Sequence, residues 1–304
     1  LLERVGLFSK NDKSHIYDKF RDRVMFPIHD RRGRTIAFGG RVLDPEDSPK
    51  YLNSPETPLF HKGRELYGLW QVRQTNSRIE RLIVVEGYMD VIALFQHGIT
   101  QAVATLGTAT TPEHAELLFR NAPDVYFCFD GDAAGRRAAS KAMESVLPRM
   151  KDGRQAFFLF LPDGEDPDTL VRHEGSAGFD LRLRDATPLS TFFFDELRKD
   201  ANLGTLDGKA RMAERAKPLL AQIPDGAFGD LMRQRLTELT GVGARAATQA
   251  QPSSQRARAQ TASTQKRSLV RSARKDAALQ PEQRSGRAFR ELFQFIKQHR
   301  GDGA

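Results

Sequence analysis

One repeated pattern over residues 82–170 constrains the fold more than any other feature of the sequence. A short apolar run, a loop with glycine or acidic residues, and an amphipathic segment follow one another. The runs are rich in Val, Ile and Phe, which is typical of parallel strands buried on both faces, and they cover residues 82–85, 102–106, 125–129 and 156–161. Crossover helices are predicted over residues 88–97, 112–121 and 133–147. The pattern therefore predicts an α/β fold with a four-stranded parallel sheet.

The flanking residues predict further units around this sheet, which we assign to residues 81–175. Residues 1–80 are expected to form a smaller α+β subdomain, incomplete at its start, with a hairpin whose turn lies at residues 32–34. Residues 176–245 are expected to form a C-terminal helical subdomain, because Leu and Ile recur there with helical spacing.

The last part of the chain differs in composition. Residues 246–286 consist largely of Ala, Gln, Ser, Thr and Arg with few large apolar side chains, which predicts a disordered basic linker. Residues 287–304 contain an apolar stripe that predicts a short helix.

The charge distribution indicates contact with a polyanion. The formal net charge of +8 divides into +4 over residues 1–80, −4 over residues 81–245 and +8 over residues 246–304. A basic region beside an acidic one suits an enzyme that holds a polyanion on one surface and binds cations on another. The alternative is that these charges are only solvated surface.

The composition argues against two classes of protein. The single cysteine, Cys128, lies within an apolar run, so we expect a buried thiol and neither a disulfide framework nor a cysteine-based zinc site. No stretch reaches the ~18 apolar residues that a membrane span needs, and the start does not resemble a signal peptide. We therefore expect a cytoplasmic protein with no membrane partner.

Acidic residues stand where three of the predicted strands end. Glu86 follows the first run, Asp130 and Asp132 follow the third, and Asp166 and Asp168 lie in the loop after the fourth. Ligands of open parallel sheets bind at this edge. Carboxylates gathered there repel one another, so the site is expected to bind cations. Oxygen ligands without nearby His or Cys favour Mg²⁺ or Mn²⁺ over zinc.

Taken alone, each of these motifs is often structural, since Asp-Gly-Asp is commonly a turn. Together, Glu-Gly-Tyr-Met-Asp from Glu86 to Asp90 and Asp-Gly-Asp from Asp130 to Asp132 resemble the TOPRIM module of DnaG-type primases, type IA and II topoisomerases and some nucleases. The resemblance implies a TOPRIM parallel sheet flanked by helices. It also implies that Glu86 is a general acid/base or metal ligand and that both aspartates of the second motif bind metal.

The flanking motifs are similar to the ordered series in the catalytic core of bacterial DNA primases. They are Arg-Asp-Arg-Val-Met-Phe-Pro-Ile from residue 21, Gly-Gly-Arg from residue 39, Pro-Lys-Tyr-Leu-Asn-Ser-Pro-Glu-Thr from residue 49, Phe-His-Lys-Gly from residue 60, Leu-Tyr-Gly-Leu from residue 66 and Glu-Asp-Pro-Asp-Thr-Leu-Val from residue 165. The resemblance covers roughly residues 15–240. We expect the family's zinc-ribbon domain and the first part of its polymerase core to be missing.

This resemblance implies a primase, which makes short RNA primers from NTPs by nucleotidyl transfer with two ions, each held by carboxylates. The expected catalytic residues are Glu86, Asp130 and Asp132. The expected metal ligands are Glu86, Asp90, Asp130, Asp132, Asp166 and Asp168. The expected phosphate and nucleotide contacts are Arg21, Arg41, Lys50, Tyr51, Asn53 and Lys62.

The implied partners are a single-stranded DNA template, NTPs, the RNA primer–DNA hybrid and the replicative helicase, at the replication fork in the bacterial nucleoid. We expect the helicase contact through a missing or truncated C-terminal domain, of which residues 287–304 would be a remnant.

Three other functions stay open. A topoisomerase needs a tyrosine nucleophile, for which the candidates are Tyr17, Tyr51, Tyr67, Tyr88 and Tyr126. A TOPRIM nuclease would use the same carboxylates, and a non-catalytic single-strand-binding or helicase-adaptor module would need none.

Overall fold

An antiparallel N-terminal region precedes the predicted sheet in a computed structural model, which describes residues 2–243. It contains a two-stranded hairpin and a three-stranded sheet with β4 in the middle. The strands are β1 (Phe8–Lys10), β2 (Ile16–Asp18), β3 (Arg23–His29), β4 (Thr35–Val42) and β5 (Tyr51–Asn53). The hairpin predicted around residues 32–34 is confirmed by the pairing of β3 with β4.

A short helix, α1 (Leu69–Thr75), leads into the central sheet. The strands of that sheet are β6 (Arg81–Val85), β7 (Ala102–Ala104), β8 (Asp124–Phe129), β9 (Gln155–Phe160) and β10 (Thr187–Pro188). Their spatial order is β10, β9, β8, β6, β7, and all neighbours are parallel except β10 with β9. The four predicted parallel strands are confirmed. The antiparallel edge strand was missed, because two residues carry no periodic pattern.

Helices cover both faces of this sheet. They are α2 (Tyr88–Gln96), α3 (Pro112–Asn121), α4 (Ala133–Val146), α5 (Pro167–Arg184), α6 (Leu189–Arg198), α7 (Leu206–Leu220) and α8 (Ala227–Thr240). The α2 and α5 helices pack against each other, whereas α3, α4 and α6 pack against β8 or β9. Alternate residues of β8, namely Val125, Phe127 and Phe129, belong to the apolar core shared with α3, α4 and α6 to α8. The helices predicted between the strands are confirmed.

The α5 helix passes through the expected boundary at residue 175, where Gly175 leaves helical geometry with φ 69° and ψ −178°; the domain boundaries stay predictions. The expectations for residues 246–286 and 287–304 fall outside the described residues.

Cys128 is buried, as predicted. Within residues 2–243, none of the helices combines the length and the apolar character that crossing a bilayer requires.

Candidate active site

The acidic residues lie at the carboxyl-terminal edge of the central sheet. Glu86 directly follows β6, and Asp130 and Asp132 follow β8. Asp166 precedes α5 and Asp168 lies in its first turn, after the loop that leaves β9. Because β6, β8 and β9 are adjacent parallel strands, all of these residues are at the same edge. We call the six carboxylates of this edge the acidic group; its members are Glu86, Asp90, Asp130, Asp132, Asp166 and Asp168.

Three carboxylates of the acidic group also cap the N-termini of helices. Asp132 Oδ1 accepts a hydrogen bond of 2.7 Å from the N–H of Gly135 in α4. Asp166 Oδ1 accepts one of 2.7 Å from the N–H of Thr169 in α5. Asp90 Oδ2 accepts one of 3.0 Å from the N–H of Gly87, at the start of α2. Such caps fix the carboxylates in place, and the partial positive charge of each helix N-terminus stabilises them.

A close backbone approach joins two of the strand ends. A Cβ atom at Gly131 would lie 2.3 Å from the carbonyl oxygen of Leu161, which is closer than real Cβ atoms come to any atom. Only glycine therefore allows the Asp130–Asp132 loop to lie against the start of the loop after β9. This approach brings the two acidic loops side by side.

Glu86 and Asp130 have raised pKa values. Partial burial raises the pKa of Glu86 most, and the negative charges of Asp130 and Asp132 raise it further. Partial burial likewise raises the pKa of Asp130, with additional repulsion from Asp132 and Asp166. Each carboxylate thus lies within electrostatic range of the next strand's acidic residues.

Asp90 connects the group to the α5 side of the sheet. Burial raises its pKa to about 7, together with the charges of Asp166, Asp168 and Asp130 and against the hydrogen bond from Gly87, which lowers it. Asp90 is therefore close to half-protonated at neutral pH when no cation is bound. Its position agrees with a supporting role beside the other five carboxylates.

The charge of the acidic group is only partly balanced by the protein. Within residues 2–243, no Lys, Arg or hydrogen-bond donor lowers the pKa of Glu86 or Asp130. Asp168 differs, because Arg172 Nε lies 2.5 Å from its Oδ1. An oxygen-only donor set with uncompensated charge fits Mg²⁺ or Mn²⁺. In the same residues no three His, Cys, Asp or Glu side chains lie close enough to enclose an ion, so metal binding stays a prediction.

Basic and aromatic residues of the N-terminal sheet lie beside the start of α2. The Arg41 guanidinium carbon and Lys50 Nζ lie 5.7 Å and 5.9 Å from the centre of the Tyr51 ring. That ring contacts the Tyr88 ring edge to face, at 5.4 Å between centres. Tyr88 is only two residues from Glu86. The structure thus brings three of the expected nucleotide contacts together at the start of α2, the helix that follows Glu86.

This contact depends on a second close approach, at Gly39 in β4. A Cβ atom at Gly39 would lie 2.9 Å from the Tyr88 ring and 3.2 Å from Asn53 Oδ1. Asn53 itself donates a hydrogen bond of 3.1 Å to the carbonyl of Leu106, in the loop after β7. Asn53 Oδ1 and the Tyr88 hydroxyl are buried without a hydrogen-bond partner in the described residues.

The remaining expected contacts, Lys62 and Arg21, lie elsewhere on the N-terminal region. Lys62 is in the loop before α1, and its charge contributes, after burial, to a lowered pKa of Lys19. The Arg21 guanidinium lies 5.0 Å from the Tyr17 ring. The roles of both residues stay predictions.

Sequence reasoning missed His114, which is completely buried in α3. Its Nε2 lies 2.9 Å from the carbonyl oxygen of Lys62 and 3.1 Å from that of Glu65. Its Nδ1 accepts a hydrogen bond from the Thr111 N–H. The Thr-Pro-Glu-His sequence at a helix start, with His at the third helical position, is the signal that could have drawn attention to it.

Three family models match successive parts of the chain. The model for the N-terminal domain of the DNA primase catalytic core matches residues 1–73, and a Toprim-like model matches residues 83–171. The model for the DnaB-helicase binding domain of primase matches residues 190–244. This last match falls on the helices α6 to α8 and not on residues 287–304.

Curated relatives agree with these matches. The DNA primase of Pseudomonas aeruginosa is 58% identical over 243 residues, which are 80% of this chain and 36% of that protein. The DNA primase of Escherichia coli K12 is 56% identical over 238 residues, which are 78% of this chain and 41% of that protein. The chain therefore spans less than half the length of these relatives.

Solved structures share the fold. A crystal structure of a DNA primase domain from Pseudomonas aeruginosa is 58% identical, with a TM-score of 0.77, and the match covers 80% of this chain and 76% of that one. A DnaG primase catalytic domain bound to ssDNA is 56% identical, with a TM-score of 0.74, covering 78% and 76%. The agreement extends over about four fifths of the chain.

Proposed function

Because the chain belongs to the family of DnaG-type bacterial DNA primases, we propose that residues 2–243 form the catalytic core of a primase. Such an enzyme copies single-stranded DNA into short RNA primers from NTPs. The observation that carries the proposal is the acidic group at the ends of β6, β8 and β9. The basic residues around Tyr51, whose ring contacts Tyr88 at the start of α2, support it.

We assign two Mg²⁺ or Mn²⁺ ions to the acidic group. When bound, such ions favour ionisation of the attacking 3′-hydroxyl and neutralise the leaving pyrophosphate. Asp130 and Asp132 are the principal ligands, with Asp166 and Asp168 from the neighbouring loop. Glu86 either contributes to this ligand set or accepts the proton of the 3′-hydroxyl, a role that its raised pKa favours because it brings the carboxylate nearer to the working pH.

The basic residues beside Tyr88 are assigned to the phosphates of the template and the incoming NTP. Arg41 and Lys50 provide charge, and the exposed Tyr51 ring provides a surface on which a base or sugar can stack. Arg41→Ala or Lys50→Ala should raise KM for NTP or reduce the salt dependence of template binding. If both quantities stay at the wild-type value, the path of the nucleic acid lies elsewhere.

We also propose the replicative helicase as a partner. The support is the match of residues 190–244 to a family model described as the DnaB-helicase binding domain of primase. A pull-down of purified replicative helicase by the chain tests this proposal, with Leu231→Ala, at an exposed apolar position on α8, as the comparison.

Two observations weigh against the rival functions. For a topoisomerase, Tyr67 and Tyr88 are buried and burial raises the pKa of both hydroxyls, so neither is an accessible nucleophile. For an adaptor without catalysis, six carboxylates at one edge of the sheet would lower stability without benefit, because burial and mutual repulsion raise the pKa values of Glu86, Asp90 and Asp130. A TOPRIM nuclease would use the same carboxylates, so only the product distinguishes it.

The deciding experiment therefore compares products. The 304-residue chain is incubated with single-stranded DNA and labelled NTPs in Mg²⁺ or Mn²⁺, and in parallel with end-labelled DNA. We expect RNA products that depend on the template sequence, and intact DNA. Strand scission without incorporation would establish a nuclease, and DNA binding with neither product would establish an adaptor.

A further inference from the structure

A cavity of about 410 Å³ opens beside Glu86, between α4 and the loop after β7. Its size is that of a site for a small ligand. One wall is a single face of α4, formed by Ala134, Arg137, Ala138 and Lys141. The opposite wall is formed by Thr105 and residues 107–110, and Val84 and Cys128 lie at the base. A ligand in this cavity would therefore touch α4 and lie next to a proposed catalytic carboxylate.

The α4 wall presents positive charge without a carboxylate partner. Arg137 and Lys141 are both exposed, and neither forms an ion pair with any residue in the described part of the chain. Several cations on other helices are paired, among them Arg120 with Glu116, Arg172 with Asp168 and Arg198 with Asp195. Unpaired surface cations are common, so this wall alone does not identify a ligand.

The opposite wall independently offers hydrogen-bond donors. Thr108 Oγ1 is buried and has no partner among residues 2–243. Over the same residues, the backbone N–H groups of residues 106–110 donate no hydrogen bond. Buried polar groups normally find a partner. A loop with several unused donors, opposite two cations, matches an anionic ligand with many acceptor oxygens.

We propose that this cavity binds a diphosphate group, either as the terminal phosphates of the incoming NTP or as the released pyrophosphate. Arg137 and Lys141 donate to phosphate oxygens from one wall, and Thr108 donates from the other. Two adjacent phosphates offer acceptor oxygens to both walls. The place of this subsite in the reaction rests on the proposed primase function, because Glu86 forms part of the cavity.

The alternative is that Arg137 and Lys141 only offset the charge of the nearby acidic group. In that case their removal would lower thermal stability and leave ligand binding unchanged. The R137A/K141A double variant separates the two interpretations. The matched control is K209A/R211A on α7, which removes the same charge from two side chains that also lack an ion pair in the described residues.

Binding is measured directly, by calorimetric titration of inorganic pyrophosphate into the 304-residue chain in Mg²⁺. We expect the Kd to rise about tenfold or more in R137A/K141A, since each charge-assisted hydrogen bond contributes strongly, and to stay unchanged in K209A/R211A. Thr108→Val, which removes the hydroxyl at constant shape, should raise Kd by a smaller factor. Equal Kd values for R137A/K141A and the wild type, with melting temperatures showing both folded, would overturn the proposal.

Primer synthesis distinguishes the two sources of the diphosphate. If the cavity takes the NTP, R137A/K141A raises KM for NTP. If it takes only the product, KM is unchanged and inhibition by pyrophosphate weakens. If the wild type binds pyrophosphate but makes no primers, and the double variant loses that binding, the cavity is supported and the primase function is refuted. Primer synthesis with wild-type pyrophosphate affinity and KM in the double variant would refute the cavity alone.

Discussion

At the scale of single residues, Asp90 makes the stability of the metal-free protein depend on pH. Its carboxylate is partly buried, and three other carboxylates help to raise its pKa to about 7. A carboxyl whose pKa is higher in the folded state than in the unfolded chain stabilises the fold only while it is protonated. The metal-free protein should therefore lose stability as the pH rises from about 4 towards and through 7.

Asp90→Asn should reverse this effect. Asparagine keeps an oxygen that can accept the Gly87 N–H and removes the charge. In EDTA, we expect the variant to melt at least ~2 °C above the wild type at pH 8, because a gain of 1 kcal/mol raises Tm by about 2–4 °C in a domain of this size. Near pH 4 the difference should be small, since the folded wild-type carboxyl is then protonated and the unfolded one is about half protonated.

Melting curves between pH 4 and 8 measure this difference. Asp207→Asn, at an exposed position on α7, serves as the control and should show no comparable trend. Mg²⁺ should cancel the advantage of Asp90→Asn, because the wild-type protein then gains binding energy that the variant loses in part. A Tm difference that is constant over the whole pH range would contradict the assigned cause of the pKa shift.

At the scale of elements, α3 holds the loop that carries Lys62. His114 Nε2 donates to the Lys62 and Glu65 carbonyls, and Thr111 Oγ1 donates a hydrogen bond of 2.6 Å to the Gly63 carbonyl. Because Nδ1 accepts the Thr111 N–H, the ring is neutral with its proton on Nε2. Burial also lowers the pKa of His114, which keeps it neutral at pH 7.

His114→Ala should therefore affect both stability and nucleotide use. We expect a loss of about 2–4 kcal/mol in the free energy of unfolding, from a buried void and two carbonyls without donors. If Lys62 contacts phosphate, KM for NTP should also rise. His173→Ala is the control, because the His173 side chain is 70% exposed and should matter little. Denaturant unfolding and initial-rate kinetics measure the two effects; wild-type values in both would show that α3 does not position this loop.

At the scale of the whole molecule, the sequence predicts those parts of the fold that have a local pattern of apolar and acidic residues. The strands β6, β7, β8 and β9 are apolar because they are buried, and the acidic residues follow them directly. Contacts across long sequence separations leave no such pattern. Examples are the Asn53–Leu106 hydrogen bond, the His114–Lys62 hydrogen bond and the cavity between residues 107–110 and α4. These features could be found only after the chain was folded.

The C-terminal segment should be separable from the catalytic fold. A chain ending at residue 243 retains every residue of the apolar core found on the α3, α4 and α6 side of the sheet. We expect it to keep its Tm and its templated NTP incorporation at saturating DNA. Its affinity for DNA should fall at low salt, because the removed residues 244–304 carry a formal charge of +9. Unfolding of the shortened chain, or loss of incorporation at saturating DNA, would show that the segment belongs to the fold.

The central claim is that the acidic group performs nucleotidyl transfer. The most direct measurement is the rate of template-dependent NTP incorporation at saturating template, Mg²⁺ and NTP, for the wild type, Asp130→Asn and Glu86→Gln. The proposed chemistry predicts that both variants fall to background while they remain folded and bind template with wild-type affinity, and that Asp207→Asn keeps the wild-type rate. A wild-type rate in Asp130→Asn or Glu86→Gln would contradict the claim.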